Sequence, residues 1–288
     1  MKTILVPASG SETDGAVFAT ALALARSVRG HLQFFHIRLS PAQAVFNDPH
    51  AQFCVGPAIA RLLTFQEKRD KAAAESAARR YAALCEQHGI PVLEQPSPGH
   101  EISAEWLEET DDPEERLLFH ARHSDVTVLG RRHAMDYMPP DLLVRTLTEC
   151  GRPVVIAPDG CASATLRTIV IGWKEAPECA RVLTAALPLL SQAKRVVLVT
   201  VGRDSSASES MLTHLSRQLE WNGVAAEARA LPDHERRIPL HLTDACRETS
   251  ADLLVMGGFG HKVFREQLFG GVTQELVESA RVPVLMMH

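Results

Sequence analysis

The sequence predicts an α/β protein made of two tandem, doubly wound units. Short apolar runs rich in Val, Ile and Leu alternate with longer segments of helical period, the pattern of a buried parallel sheet flanked by helices. Three of these runs recur in the same order in the two halves, as expected of a duplicated unit. Lys2-Thr-Ile-Leu-Val-Pro7 answers Arg167-Thr-Ile-Val-Ile-Gly172. Ser124-Asp-Val-Thr-Val-Leu-Gly130 answers Ala251-Asp-Leu-Leu-Val-Met-Gly257. Cys150-Gly-Arg-Pro-Val-Val-Ile-Ala157 answers Ala280-Arg-Val-Pro-Val-Leu-Met-Met287, with the proline fourth in each. The expected units are residues 1–158 and 167–288, because the intervening Pro158 to Leu166 has the Gly, Ser and Ala content of a linker.

In the first copy a strand at Ile4–Val6 is followed by an insertion over Leu39 to Pro57 and a long helix from Ala58 to His88. A second addition, Glu101 to Arg116, carries eight carboxylates and one arginine. Its Asp112-Pro113-Glu114-Glu115 has the order of a helix start: capping residue, proline in the first turn, acid at the third position. A solvated face is the plain expectation for this stretch, and a site for a cation or a basic partner is the alternative. The second copy shows strand signals at Thr168–Trp173, Arg195–Val201, Ala225–Ala230, Asp252–Gly257 and Val282–Met287. Between them, Ala180, Leu183, Leu187 and Leu190 keep a helical period after Pro177, and a helix over 206–222 stops at Asn222-Gly223. Alternation of this kind implies right-handed crossovers, helices on both faces, and ligands beyond the carboxyl ends of the strands. The proline-led runs at Arg152–Ile156 and Val282–Met286 read as edge strands that cover each other within the chain.

Composition narrows the function. With 288 residues, 45% hydrophobic and 23% charged, the chain is globular and long enough for two cores. A net charge of −5 gives no support to a nucleic-acid partner. The six cysteines lack disulfide-framework or CxxC spacing and read as reduced, packed thiols. Pro7 cuts the first apolar run too short for a signal peptide, and no run reaches membrane-spanning length. A cytoplasmic protein is expected.

The densest chemical signal is the glycine spacing after Asp252–Met256. Gly257 and Gly260 open a loop, and Gly270-Gly271 close it before a helical pattern begins. Glycines there let backbone amides turn inward at the positive end of a helix, which suits a phosphate. The same glycines are also accounted for by a tight turn and close packing. Gly257-x2-Gly260-x9-Gly270, together with the duplicated first strands and the Arg-Pro-Val and Val-Pro-Val last strands, resembles the universal stress protein family in tandem form over essentially the whole chain.

The resemblance implies a Rossmann-like, adenine nucleotide alpha hydrolase-like sheet of five parallel strands per domain. It also implies an intramolecular pseudo-dimer of the two domains, with homodimers of the chain a further option. It places ATP or AMP, with Mg2+ only alongside ATP, on Gly257, Gly260, Gly270, Gly271, Val272 and Thr273, and on Gly172, Trp173 and Lys174 at the end of the first strand of the second copy. Three departures from the family pattern stand out. Gly271 replaces the usual hydroxyl residue, with Thr273 two residues late. Ser9 and Lys174 stand where the family has a nucleoside-holding acid. In the first copy, Arg131-Arg-His133 and Pro139-Pro140 replace the glycine loop, and proline has no N–H to donate. Nucleotide is therefore expected only in the second copy.

No catalytic or metal-binding residue is expected. Ser9-Gly10-Ser11-Glu12-Thr13-Asp14 only partly matches the loop of pyrophosphate-releasing ATP enzymes. His120 and His123 share a helical face without a third ligand at zinc-like spacing. The function implied is a non-catalytic, nucleotide-binding stress-response protein. The alternatives are a scaffold with lapsed pockets or a carrier of another small ligand, and, more remotely, a slow ATPase.

Overall fold

A computed structural model describes residues 1–39, 57–97, 101–131, 142–160, 164–202, 205–232, 237–258 and 271–288. The insertion over 40–56 and the loop residues Arg132, His133, Pro139, Pro140, Gly260 and Gly270 lie outside the described residues.

In the first half, the chain runs β1 (Thr3–Pro7), α1 (Asp14–Val28), β2 (His31–Leu39), α2 (Pro57–His88), β3 (Ser103–Asp111), α3 (Pro113–His123), β4 (Val126–Leu129), α4 (Leu142–Glu149) and β5 (Val154–Ile156). The second half runs β6 (Thr168–Gly172), α5 (Pro177–Leu190), β7 (Arg195–Gly202), α6 (Ser205–Trp221), β8 (Ala226–Pro232), α7 (Ile238–Thr249), β9 (Leu253–Gly257), α8 (Gly271–Ser279) and β10 (Val284–Met287). These strands form one sheet in the order β3-β2-β1-β4-β5-β10-β9-β6-β7-β8. Within each half all pairings are parallel. At the seam β5 and β10 pair antiparallel, with Val155 opposite Leu285, so the two apolar edges do cover each other. Closing them against one another removes two exposed templates for pairing with other chains.

Alternation along the strands sorts side chains into two apolar layers. Ile4 and Val6 join α1, α2, α5 and α6 on one face, while Leu5 joins α3, α4, α7 and α8 on the other. The repeat extends to its polar contacts. Asp125, at the start of β4, accepts the backbone N–H of Lys2 and Thr3, the latter at 3.1 Å. Asp252 does the same for Arg167 at 2.8 Å and Thr168 at 2.9 Å. In each half a carboxylate thereby fixes the register of the fourth strand against the first.

The acidic stretch corrects one expectation. Asp112 caps α3 as predicted, accepting from the amides of Glu114 at 2.9 Å and Glu115 at 3.1 Å. However, most of what read as an addition is strand β3, paired with β2 along its whole length. It forms one edge of the sheet, where outward charges discourage pairing with other chains. Its acids meet local partners: Glu108 faces Arg38 at 3.0 Å, and Glu109 is held by Arg116 and by His120 at 3.0 Å. Among the described residues no group of three or more His, Cys, Asp or Glu is placed to hold a metal ion. Nor is any helix among them long and apolar enough to cross a membrane.

Candidate functional site

In each half the strand order reverses direction between the first and fourth strands, β1 and β4 or β6 and β9. Ligand crevices of doubly wound sheets open at the carboxyl ends of such a pair. The loops there leave their strands alike and then diverge, Gly10 being left-handed where its counterpart Glu175 is not. Ala8 N–H donates to the Phe35 carbonyl at 2.8 Å, and its counterpart Trp173 donates to Val199 at 2.8 Å.

In the first crevice the chain itself occupies the turn after β1. Asp14, at the start of α1 and 2% exposed, turns its carboxylate back into the loop. It accepts from Ser9 N at 2.9 Å, Ser9 Oγ at 2.6 Å and Gly10 N at 2.7 Å. Helix α2 presses on the same turn. Gly10 has φ of +79°, and a Cβ there would lie 2.2 Å from the Ala73 carbonyl oxygen. Ser76 Oγ also donates to the Gly10 carbonyl at 2.9 Å. The Ser9 and Gly10 amides, which could meet a phosphate, already serve a carboxylate, and the space that remains beside the turn is lined by Thr13, Gly130, Arg131 and Asp159.

The second crevice is built differently. Cys179 occupies the place of Asp14, because the two strand–loop–helix segments align without a gap from Thr3 with Thr168 to Leu22 with Leu187. The backbone amides of Lys174 and Gly257 face the Cys179 sulfur. Burial pushes this thiol up, and those two amides pull weakly the other way. Glu178 beside it is 7% exposed, whereas Lys174 is exposed at the mouth. Trp173 Nε1 is buried with no acceptor, and the Trp173 carbonyl accepts from Thr200 Oγ1 at 3.0 Å.

Gly172 and Gly257 end β6 and β9, and both are in close contact with protein. A Cβ on Gly172 would meet Leu242 at 3.1 Å; one on Gly257 would lie 2.6 Å from Glu178 Cγ and 2.9 Å from Cys179 N. Packing alone therefore requires a glycine at 257. Gly271 opens α8, the Val272 backbone lies in its first turn, and Thr273 is buried there. The described part of the site thus joins Gly172, Trp173, Lys174 and Gly257 around one strand pair. Sequence reasoning missed Asp14 and Cys179, although the ungapped match between the halves sets them opposite each other.

A family model for universal stress proteins matches residues 165–288. Residues 165–288 form a universal stress protein domain. The first half repeats its architecture, and full-length neighbours among solved structures share the fold. A universal stress protein from Archaeoglobus fulgidus DSM 4304 superposes with a TM-score of 0.69 at 15% identity, covering 99% of this chain and 95% of its own. A putative universal stress protein from Pseudomonas aeruginosa UCBPP-PA14 gives 0.58 at 13% identity over 100% and 93% of the two chains. A functionally unknown protein from Pseudomonas aeruginosa PAO1 gives 0.57 at 12% identity over 100% and 92%. No curated protein sequence matches the chain. The tandem α/β reading therefore holds for the universal stress protein domain and, at the level of fold, for the half that precedes it.

Proposed function

We propose that the chain is a two-domain universal stress protein of the cytoplasm, divided at 1–158 and 167–288, that binds one adenine nucleotide without turning it over. The site is in the second domain, on Gly257, Gly260, Gly270, Gly271, Val272 and Thr273, with Gly172, Trp173 and Lys174 on the nucleoside side. The observation that carries this reading is the contrast between the crevices. Asp14 occupies the amides of Ser9 and Gly10 in the first, whereas in the second the amides of Lys174, the counterpart of Ser9, and of Gly257 face a neutral sulfur. A thiol is a weak acceptor, and displacing it costs far less than displacing a buried carboxylate. The second crevice also offers an exposed ammonium at Lys174, an unpaired indole N–H at Trp173 and the N-terminus of α8. ATP or AMP suits these donors, and Mg2+ would enter only with ATP. The two domains act as an intramolecular pseudo-dimer joined through β5 and β10.

Calorimetric titration of the full chain with ATP and AMP tests this, together with identification of any nucleotide released on denaturation. One site per chain is expected, with no phosphate release above a protein-free control. Two equivalent sites would sink the asymmetry, and steady phosphate release would favour a slow ATPase. The second reading is a scaffold with a lapsed pocket. It is favoured by the packing of Gly172 and Gly257, which explains both glycines without a ligand.

A further inference from the structure

Arg131 follows β4 in the first half and falls where the second half has Gly258. In the sequence it opens the Arg131-Arg-His133 stretch that replaces the glycine loop. In the structure it is 8% exposed and crosses the seam. One guanidinium nitrogen donates to Asp159 Oδ2 at 2.8 Å, where the chain leaves β5 for the second half. Another donates to the carbonyl oxygen of Ala280, the residue directly after α8. The last carbonyls of a helix lack partners within it and carry its partial negative charge, so a guanidinium there acts as a C-terminal cap. The contact is reciprocated across the seam. Gly258, the counterpart of Arg131, faces Leu147 of α4, which would lie 3.0 Å from a Cβ at that position. Each half therefore uses a residue just beyond its fourth strand to meet the last helix of the other, one with a long cation and one with no side chain.

Helix α8 has nine residues, or roughly 13 Å at 1.5 Å per residue. Arg131 holds its C-terminal end, and its N-terminal end, at Gly271, is where the phosphates would sit. A helix of two and a half turns has little stability of its own and takes its order from tertiary contacts. We infer that Arg131 is a positioning residue for the nucleotide site of the other half, holding α8 in the register that presents its first-turn amides to phosphate. This rests on the nucleotide reading above. By linkage, a nucleotide bound at Gly271 must in turn tighten the Arg131 contact.

The test uses the full chain with Arg131→Met, which keeps length and apolar bulk, and Arg131→Lys, whose ammonium can replace one of the two bonds. Hydrogen exchange without nucleotide reads the clamp, and calorimetry with ATP reads the site. Arg131→Met is expected to speed exchange over 271–280 by about tenfold, with α5 and α6 unchanged, and to weaken ATP by about fivefold to tenfold. Arg131→Lys is expected to move both readouts in the same direction by about twofold to threefold, and it carries the test should the Met variant fail to fold. Unchanged exchange in α8 overturns the clamp whether or not nucleotide binds. Faster exchange with ATP affinity intact overturns the coupling. Faster exchange in a protein that never binds ATP overturns the nucleotide reading and reduces Arg131 to a structural tie.

Discussion

The two crevices open from corresponding strand ends and differ in what meets the amides there. Asp14 and Cys179 hold the same place at the head of corresponding helices, and each faces amides at the end of its sheet. The carboxylate forms three hydrogen bonds and closes its loop from within. The thiol offers those amides little, and an incoming anion has less to displace. The first half adds a second closure, because α2 lies against Gly10.

The largest expected effect comes from adding a methyl group on each side of this comparison. Gly10→Ala would set a Cβ against the Ala73 carbonyl at a left-handed backbone position. It should cost about 3 kcal/mol in a urea melt, the steric and torsional penalties acting together. Gly257→Ala meets a flexible Glu178 side chain as well as the α5 backbone, and should cost about 1–3 kcal/mol. If Gly10→Ala is neutral, α2 does not pin the first loop and the contrast fails.

The next effect bears on ligand rather than stability. Gly271→Ser restores the family's usual hydroxyl at the head of α8. It should strengthen ATP by about 1.5 kcal/mol, the low end for a hydrogen bond to a charged group, and AMP by less. Gly270→Val should weaken ATP at least about tenfold, or about 1.4 kcal/mol. Equal gains for ATP and AMP in the Ser variant would mean that the hydroxyl does not reach the terminal phosphate.

The smallest effect sharpens what the halves have in common. Burial alone would raise the Asp125 carboxyl, but the amides of Lys2 and Thr3, with the amino terminus and Arg152, together outweigh it and hold it below the usual range. A depressed folded value stabilises above the unfolded pKa of about 3.9, and that stability disappears as pH falls through the folded value. Asp125→Asn should therefore lower stability by about 1 kcal/mol at pH 7. The gap from the parent should shrink below about pH 4, as thermal melts at stepped pH would read it. A gap that is constant down to pH 2 would mean that the charge contributes nothing.

The duplicated strands, the helix starts at Pro113 and Pro177, and the covered seam were legible in the sequence because each follows from local period or turn chemistry. Strand β3 was not. Its alternation is filled with glutamates, since an edge strand with a solvated side need not look apolar. Arg131 was illegible for another reason. Its acceptor at Ala280 lies 149 residues away, and no local pattern signals a partner in the other half. Cys179 was legible in principle, by laying the halves side by side, but a lone cysteine draws attention only once Asp14 is seen at work.

The antiparallel seam also sets an order of events during synthesis. Growth from the amino end delivers β5 long before β10, so the first half first meets solvent with Val154, Val155 and Ile156 unpaired along one side. Until β10 arrives, that side can recruit the same strand from a neighbouring nascent chain. Pausing or truncation between Thr168 and Val284 should therefore yield sticky, chaperone-dependent species, and completion of β10 is the step that makes the polypeptide safe at high concentration.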